Sequence, residues 1–362
     1  IGVDFQVLNK RLPVSAEYYN EKNREMLMNI KQSVPSTVGT QSAAVNLGEM
    51  NSWGWELSVN WRDKIGKDFK YRIGLNTGYR DNEVLVMDWV TGNSLYRQIT
   101  KGHRTDMGLW GMQCIGMFRS FQDINEYFDM YMKKEDGSYG TYMGMTKEQV
   151  RPGMLIYKDV RGALQENGTY AGPDHNVDEE LDQVQLSNRT NPYGFTINAG
   201  AEWKGISLTA QFGASWGGYT VVPSAALKPN GSLEYCNMPS FWNPDNMFVY
   251  QDIYDGSGNL LMEANRDAQY PNLAYSNVNA VTSSFWRVSA ARVALNRLTL
   301  AYTIPSSLYK KFGINNIRVN VTGQNVLNFY NPYPDKFVNP MAGTYGSYPN
   351  LRKWTVGVNL SF

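Results

Sequence analysis

The chain has 362 residues, 34 Lys and Arg against 33 Asp and Glu, and a formal charge of +1, which leaves no polybasic stripe for nucleic acid or a membrane surface. Two cysteines exclude a dense disulfide scaffold or a four-cysteine zinc site, and two histidines leave little for histidine-based metal or triad chemistry. No run approaches eighteen apolar residues, which excludes a transmembrane helix, while 10 Trp, 24 Tyr, 14 Phe and 33 Gly suit β-structure with aromatic girdles.

In chain order, strands are predicted over 1–8, 11–24, 52–62, 69–80, 193–203, 206–217, 287–303, 315–328 and 351–362. Ile1–Leu8 alternates like a strand from its first residue, so the chain is expected to begin inside an element and to be the C-terminal part of a longer protein. In the third segment Trp53, Trp55, Leu57, Val59 and Trp61 oppose Gly54, Glu56, Ser58, Asn60 and Arg62. The fourth sets Phe69, Tyr71, Ile73 and Leu75 against Lys70, Arg72, Gly74 and Asn76. The same split recurs over Tyr193–Trp203 and Ile206–Trp216. It is clearest at the end, where Trp354, Val356, Val358, Leu360 and Phe362 share one face.

Alternation alone fits two architectures. In a soluble sandwich the apolar face is core; in a membrane barrel it meets lipid and the polar face lines the lumen. Three details favour the barrel: segments of about ten residues, Trp or Tyr at the ends of the apolar face, and the terminal aromatic Phe362, read as a barrel-assembly signal with Trp354, Val356, Val358 and Leu360. Loop lengths agree. Connections alternate between short (9–10, 63–68, 204–205, 304–314) and long (25–51, 81–192, 218–286, 329–350), as in barrels with short periplasmic turns and long extracellular loops. Residues 1–362 are therefore read as the C-terminal portion of one barrel domain. Nine strands is an odd number and single-chain bacterial barrels use even ones, so further strands are expected. Glu56, Arg62, Arg72, Glu202, Gln211 and Arg318 would then line the lumen.

Five stretches in order resemble SusC-like TonB-dependent transporters. They are Arg11–Asn20 (RLPVSAEYYN), Asn51–Arg62 (NSWGWELSVNWR), Arg151–Asp159 (RPGMLIYKD), Phe285–Gly313 with its Tyr-Thr-Ile-Pro strand end, and Ile317–Asn328 (IRVNVTGQNVLN). The resemblance implies the last nine strands of a barrel of about 22 strands, with plug and TonB box outside this sequence. It implies TonB-energised import of glycans or peptides, no bond chemistry, and a SusD-like surface lipoprotein as lid. A dimer of transporter–lipoprotein pairs is among the assemblies it implies. Many relatives carry a calcium-like Asp-x-Asn-Gly-Asp-Gly after the tyrosine-aspartate stretch. Here it reads Asp159-Val160-Arg161-Gly162-Ala163-Leu164, which removes two of the motif's three side-chain ligands.

No catalytic residue and no resident cofactor is expected; calcium in an extracellular loop stays open. Asp174, Asp178, Glu179, Glu180 and Asp182 match no calcium-loop spacing and read as a solvated acidic loop. Asp252, Asp255 and Asn259 read first as a turn. His103 and His175 read as surface histidines. Cys114 and Cys236 lie in different long loops, where one disulfide is an option. Trp110, Tyr127, Tyr131, Tyr219, Tyr235, Trp242, Tyr250 and Trp286 are candidates for contact with substrate or lid. Most of the loop aromatics, however, are expected to pack on one another, since a 112-residue loop needs its own core. Two rivals stay open: a secreted β-rich glycan-binding protein or glycanase, whose inward glutamates would be Glu56 and Glu202, and an ordinary siderophore receptor.

Overall fold

The computed structural model describes all residues except 30–36, 38–43, 88–93, 229–237, 341–347 and 349. In chain order, β1 (Gly2–Val7), β2 (Leu12–Asn29), β3 (Ala44–Ile65) and β4 (Phe69–Val86) are consecutive hairpin strands. The first long loop carries β5 (Leu109–Met112), β6 (Cys114–Met117), α1 (Phe121–Tyr127), β7 (Leu155–Tyr157) and β8 (Gln183–Ser187). β9 (Tyr193–Trp203) and β10 (Ile206–Trp216) follow. The next loop holds β11 (Tyr219–Val221), β12 (Ile253–Tyr254), β13 (Leu260–Met262), α2 (Ser276–Asn279) and β14 (Arg287–Ser289). β15 (Arg292–Thr303), β16 (Asn316–Asn328) and β17 (Lys353–Ser361) close the chain.

Nine strands form one antiparallel sheet in the order β1-β2-β3-β4-β9-β10-β15-β16-β17, which is chain order with the loop strands left out. Each strand pairs with the next in sequence, so the sheet is a meander, the topology of an up-and-down barrel wall. The turns at one end are tight. Lys204 (φ +47°) and Gly205 (φ +87°) join β9 to β10 with both central residues left-handed, the geometry that matches strand twist.

The two faces differ as the alternation requires. On β17, Trp354, Val356, Val358 and Leu360 are exposed, Val356 by 70%, while Thr355, Gly357 and Asn359 point the other way. Both apolar clusters of the molecule are built from loop residues, and neither includes a residue of the nine sheet strands. Among the described residues, then, no second layer covers the apolar face as a sandwich would require. Rings mark its two edges. Phe69 and Trp203 pair in register at the turn end, with Trp61 Nε1 donating to Tyr71 Oη at 3.1 Å nearby. Tyr193 pairs with Trp216 at the loop end and stacks on Tyr79 at 6.0 Å. From Trp203 to Tyr193 is about 33 Å along the strand, or ~24 Å along the bilayer normal at a tilt of about 45°, close to the apolar band of such barrels. No helix among the described residues is long and apolar enough to cross a membrane.

All nine expected strands are present, with three corrections. β2, β3 and β4 run to 18, 22 and 18 residues. Residues 25–29 and 44–51, expected in the first long loop, are therefore strand, and the next loop starts at 87 rather than 81. Register shifts after Asn23 and Met26, with Glu25 at φ +53°, break the alternation there without ending the pairing. At ~3.3 Å per residue β3 reaches roughly 70 Å, so its upper half stands well outside a bilayer core of about 30 Å. The strand expected at 287–303 is two elements. β14 leaves the main sheet to pair with β11, because the neighbouring chain bends at Gly217 (φ +100°) and Gly218, whose Cβ would lie 2.7 Å from Arg189 O.

Val356→Arg on the exposed face is expected to cost about 2–4 kcal/mol of unfolding free energy in vesicles. Thr355→Arg on the opposite face is expected to cost much less, and equal costs measured by urea titration would contradict the assignment of faces.

Candidate functional site: two knitted loops above a polar wall

The long loops fold into a body of their own. Ser120 caps α1, its Oγ accepting from Asp123 N at 3.1 Å while the Asp123 carboxylate accepts from Ser120 N. The helix places Ile124, Tyr127 and Phe128 against Phe118, Tyr142, Leu155, Tyr157 and Val177, with Val278 and Val281 contributed by the second loop. The tyrosine hydroxyls of this cluster are paired. Tyr142 Oη donates to Leu155 O at 2.5 Å and accepts from Tyr157 N at 2.9 Å, and Tyr157 Oη donates to Val278 O at 2.9 Å. Asn279 bridges the loops, accepting from Leu155 N at 2.8 Å and donating to Gly153 O at 2.9 Å. The body is tied to the wall by Asp81 at the top of β4, which binds Arg104 and, at 3.0 Å, the buried Arg189.

Of the ring candidates, Tyr127 and Trp286 are core. Tyr127 Oη donates to Tyr157 O at 2.7 Å and Trp286 Nε1 to Asn279 O at 2.6 Å, so neither presents a free ring face. Trp242 packs in the second cluster and its Nε1 donates to Ala226 O at 2.8 Å. Trp110 is half-buried against Tyr96. Tyr131 and Tyr219 are exposed, with Arg287 4.6 Å over the Tyr219 ring. Tyr250 is half-buried between Phe121 and the Arg266 guanidinium. Tyr235 and Cys236 lie outside the described residues, so the pairing with Cys114 is not described. The Cys114 thiol is half-buried, and burial pushes its pKa up to about 11.

The acidic stretch is not simply solvated. Asp182 is fully buried and accepts N–H bonds from Val160 at 2.7 Å, Arg161 at 3.1 Å and Asp178 at 2.9 Å, which fold the segment around it. Asp159 accepts from His175 N at 2.7 Å. His175 is no free surface residue either, since its Nδ1 lies 2.8 Å from Tyr131 O. Arg161 donates to Leu181 O and Gln183 O at 2.6 Å each and lies 3.8 Å over the Tyr96 ring. Asp255 accepts from Ser257 N and Asn259 N at 2.8 Å, a turn as expected.

Beneath the loops, the luminal candidates separate into groups. Arg62, Arg72, Glu202 and Arg318 line one cleft of about 750 Å³ at the turn end of the wall. Lys64 and Lys70 join them; sequence reading passed over both, although they share the inward parity of Arg62 and Arg72. Glu56 sits in a separate recess, directly across from Glu17, a second inward glutamate also missed. Gln211 is held by Asn198 Oδ1 at 3.1 Å. Glu56 and Glu202 align with Gly78 and Lys70 of β4, eight residues apart. That is about 26 Å, far beyond the ~10 Å that a glycosidase carboxylate pair spans.

Phe128→Ala empties a fully buried position and is expected to loosen the loop body by about 3–5 kcal/mol. Limited trypsinolysis then accelerates at Lys133, Lys134 and Arg161, and an unchanged rate would contradict the packing. Burial raises Asp159 to a pKa of about 6, with the Asp182 charge adding to the rise and the His175 N–H opposing it. An unfolded aspartate titrates near 3.9, so folding takes up protons in this window. The contribution of Asp159 to stability is full below about pH 4 and is lost as pH rises through 6. Hydrogen-exchange protection over 157–182, corrected for intrinsic rates, should drop between pH 5 and 7. Asp159→Asn should flatten that profile, and a flat wild-type profile contradicts the assignment.

No protein-family model matches the chain. It is 24% identical over its whole length to the TonB-dependent receptor P3 of Formosa agariphila, covering 33% of that protein. It is 26% identical to the TonB-dependent receptor SusC of Bacteroides thetaiotaomicron over 108 residues, 29% of this chain and 11% of that one. Among solved structures, the RagAB peptide importer in its closed-closed state superposes with a TM-score of 0.64 at 19% identity, covering 100% of this chain and 35% of the other. The chain spans about a third of the length of these full-length relatives. Over its whole length it matches the C-terminal third of TonB-dependent receptors, with SusC matching over a shorter stretch, and its nine strands correspond to a portion of the outer-membrane β-barrel of such proteins.

Proposed function

We propose that this chain supplies part of the wall and the extracellular loops of an outer-membrane importer that takes up oligomeric nutrients, glycans or peptides, with energy from TonB. The observation that carries the reading is the pairing of a polar inward wall with loops folded into a rigid body at one end only. The exposed Tyr131 and Tyr219 and the half-buried Tyr250 support contact there with an oligomer or a lid protein. A SusD-like surface lipoprotein is the proposed lid, in line with the likeness to SusC and to structures of a RagAB importer. The wall does no bond chemistry. Its inward glycines and hydroxyls keep it smooth and wet, and selection falls to the loops.

The solved neighbours are described as peptide importers, so peptides are the first cargo to try. Cells carrying the complete receptor are given fluorescent oligopeptide and oligosaccharide pools in turn. Accumulation of one pool should require both the receptor and TonB, and a large lipoprotein should co-purify. Uptake indifferent to TonB would overturn the import reading. A receptor without a lipoprotein partner would favour the siderophore class.

A further inference from the structure

A second cleft, of about 330 Å³, opens at the loop end of the wall, at the lower end of the range for ligand pockets. It lies where β14 parts from the main sheet. Ala290 and Ala291, the step between β14 and β15, line it from one side, and Pro332, Tyr333 and Pro340 of the loop after β16 line it from another. Of the residues singled out in the sequence, Tyr219 alone lines it.

Register fixes which way its charge points. Arg292 pairs with Ser215, and Ser215 with Gly194, one step inside the Tyr193–Trp216 pair that marks the loop-end edge. The next pair, Ala214 and Val293, belongs to the apolar face, so Ser215 and Arg292 point inward. Among the described residues Arg292 is the one charged side chain lining the cleft, and it makes no ion pair. The frame around it is already tied. Asn191 Nδ2 donates to Ser215 Oγ at 3.1 Å and to Ala290 O at 2.5 Å, and its Oδ1 accepts from Gly218 N at 3.2 Å. Ser289 Oγ accepts from Ala291 N at 3.1 Å. The buried Tyr333 hydroxyl bonds Thr220 and feels the Arg292 charge, both of which oppose the rise in its pKa that burial imposes. Arg292 therefore brings five N–H donors to a preorganised polar wall.

The rings are engaged as well. Arg287 stands 4.6 Å over Tyr219, and Phe337 meets Tyr333 edge-on at 5.7 Å. With its amide spent and its rings engaged, the cleft offers a neutral sugar little. An unpaired guanidinium fits a carboxylate bidentately, and a peptide of any sequence ends in one.

We propose that this cleft takes the C-terminal carboxylate of a peptide cargo on Arg292, with Pro332 and Pro340 beside the last residue. The proposal rests on the import reading and narrows its cargo. The complete receptor, with any lipoprotein that accompanies it, is held in nanodiscs and offered an oligopeptide pool with free C termini and the same pool amidated. What it retains is read by mass spectrometry. The free acids should be retained about tenfold better, equivalent to about 1.4 kcal/mol. R292Q should abolish the preference by weakening the acids alone. R297Q, which removes the inward arginine paired with Gln211 further down β15, should leave the preference intact. Equal retention of acid and amide, retention of neither, or an R292Q loss that falls equally on both overturns the proposal. So does an Arg292-dependent preference for galacturonate oligomers over peptides, which would assign the cleft to acidic glycans. Retention is read without TonB, so TonB-dependent uptake that persists without the acid preference overturns the proposal and leaves the import reading standing.

Discussion

Everything in this chain follows from one constraint: a strand that crosses a bilayer must satisfy its backbone hydrogen bonds sideways while its two faces meet different solvents. Nine strands answer the first demand by pairing with their sequence neighbours. The period of two answers the second, putting Trp354, Val356, Val358 and Leu360 on one side and Thr355, Gly357 and Asn359 on the other. A slip of one residue would turn every side chain to the wrong solvent, so the pattern also pins the register.

The same constraint moves the hydrophobic core elsewhere. With the apolar strand faces given over to lipid, the packed interior lies in the loops. Phe118, Phe128, Tyr142 and Tyr157 there bury their rings, and Asn279 fastens one loop to the other. The polar wall below stays thin and wet, and its charges are free to act on an occupant. Arg62 and Arg72 face one another across β3 and β4 in a cleft that Glu202 also lines.

Most of the sheet was legible in the sequence because alternation is local. The hairpin at Lys204–Gly205 and the strand from Lys353 need only their own residues to be recognised. The upper parts of β2 to β4 were not legible, since bulges near Glu25 and Met26 break the period while pairing continues. Nor was the split between β14 and β15, which depends on how closely Gly218 approaches Arg189. In the loops, sequence suggested that rings would pack together but not which. Tyr127 and Trp286 are buried in clusters that draw residues from distant parts of the chain, contacts that no periodicity announces. Asp182 looked solvated because two of its three N–H donors, Val160 and Arg161, are 22 and 21 residues away and reach it only once the loop has folded.

The central claim is that the ring-bearing face of the sheet meets acyl chains. It is tested most directly by reconstituting the complete receptor with Trp61, Trp203 or Trp354 as the reporter indole and comparing quenching by chain-brominated lipid with quenching by aqueous iodide. The account predicts strong quenching from the brominated lipid and little from iodide at all three positions. The reverse order would mean that this face meets water, and would contradict the barrel.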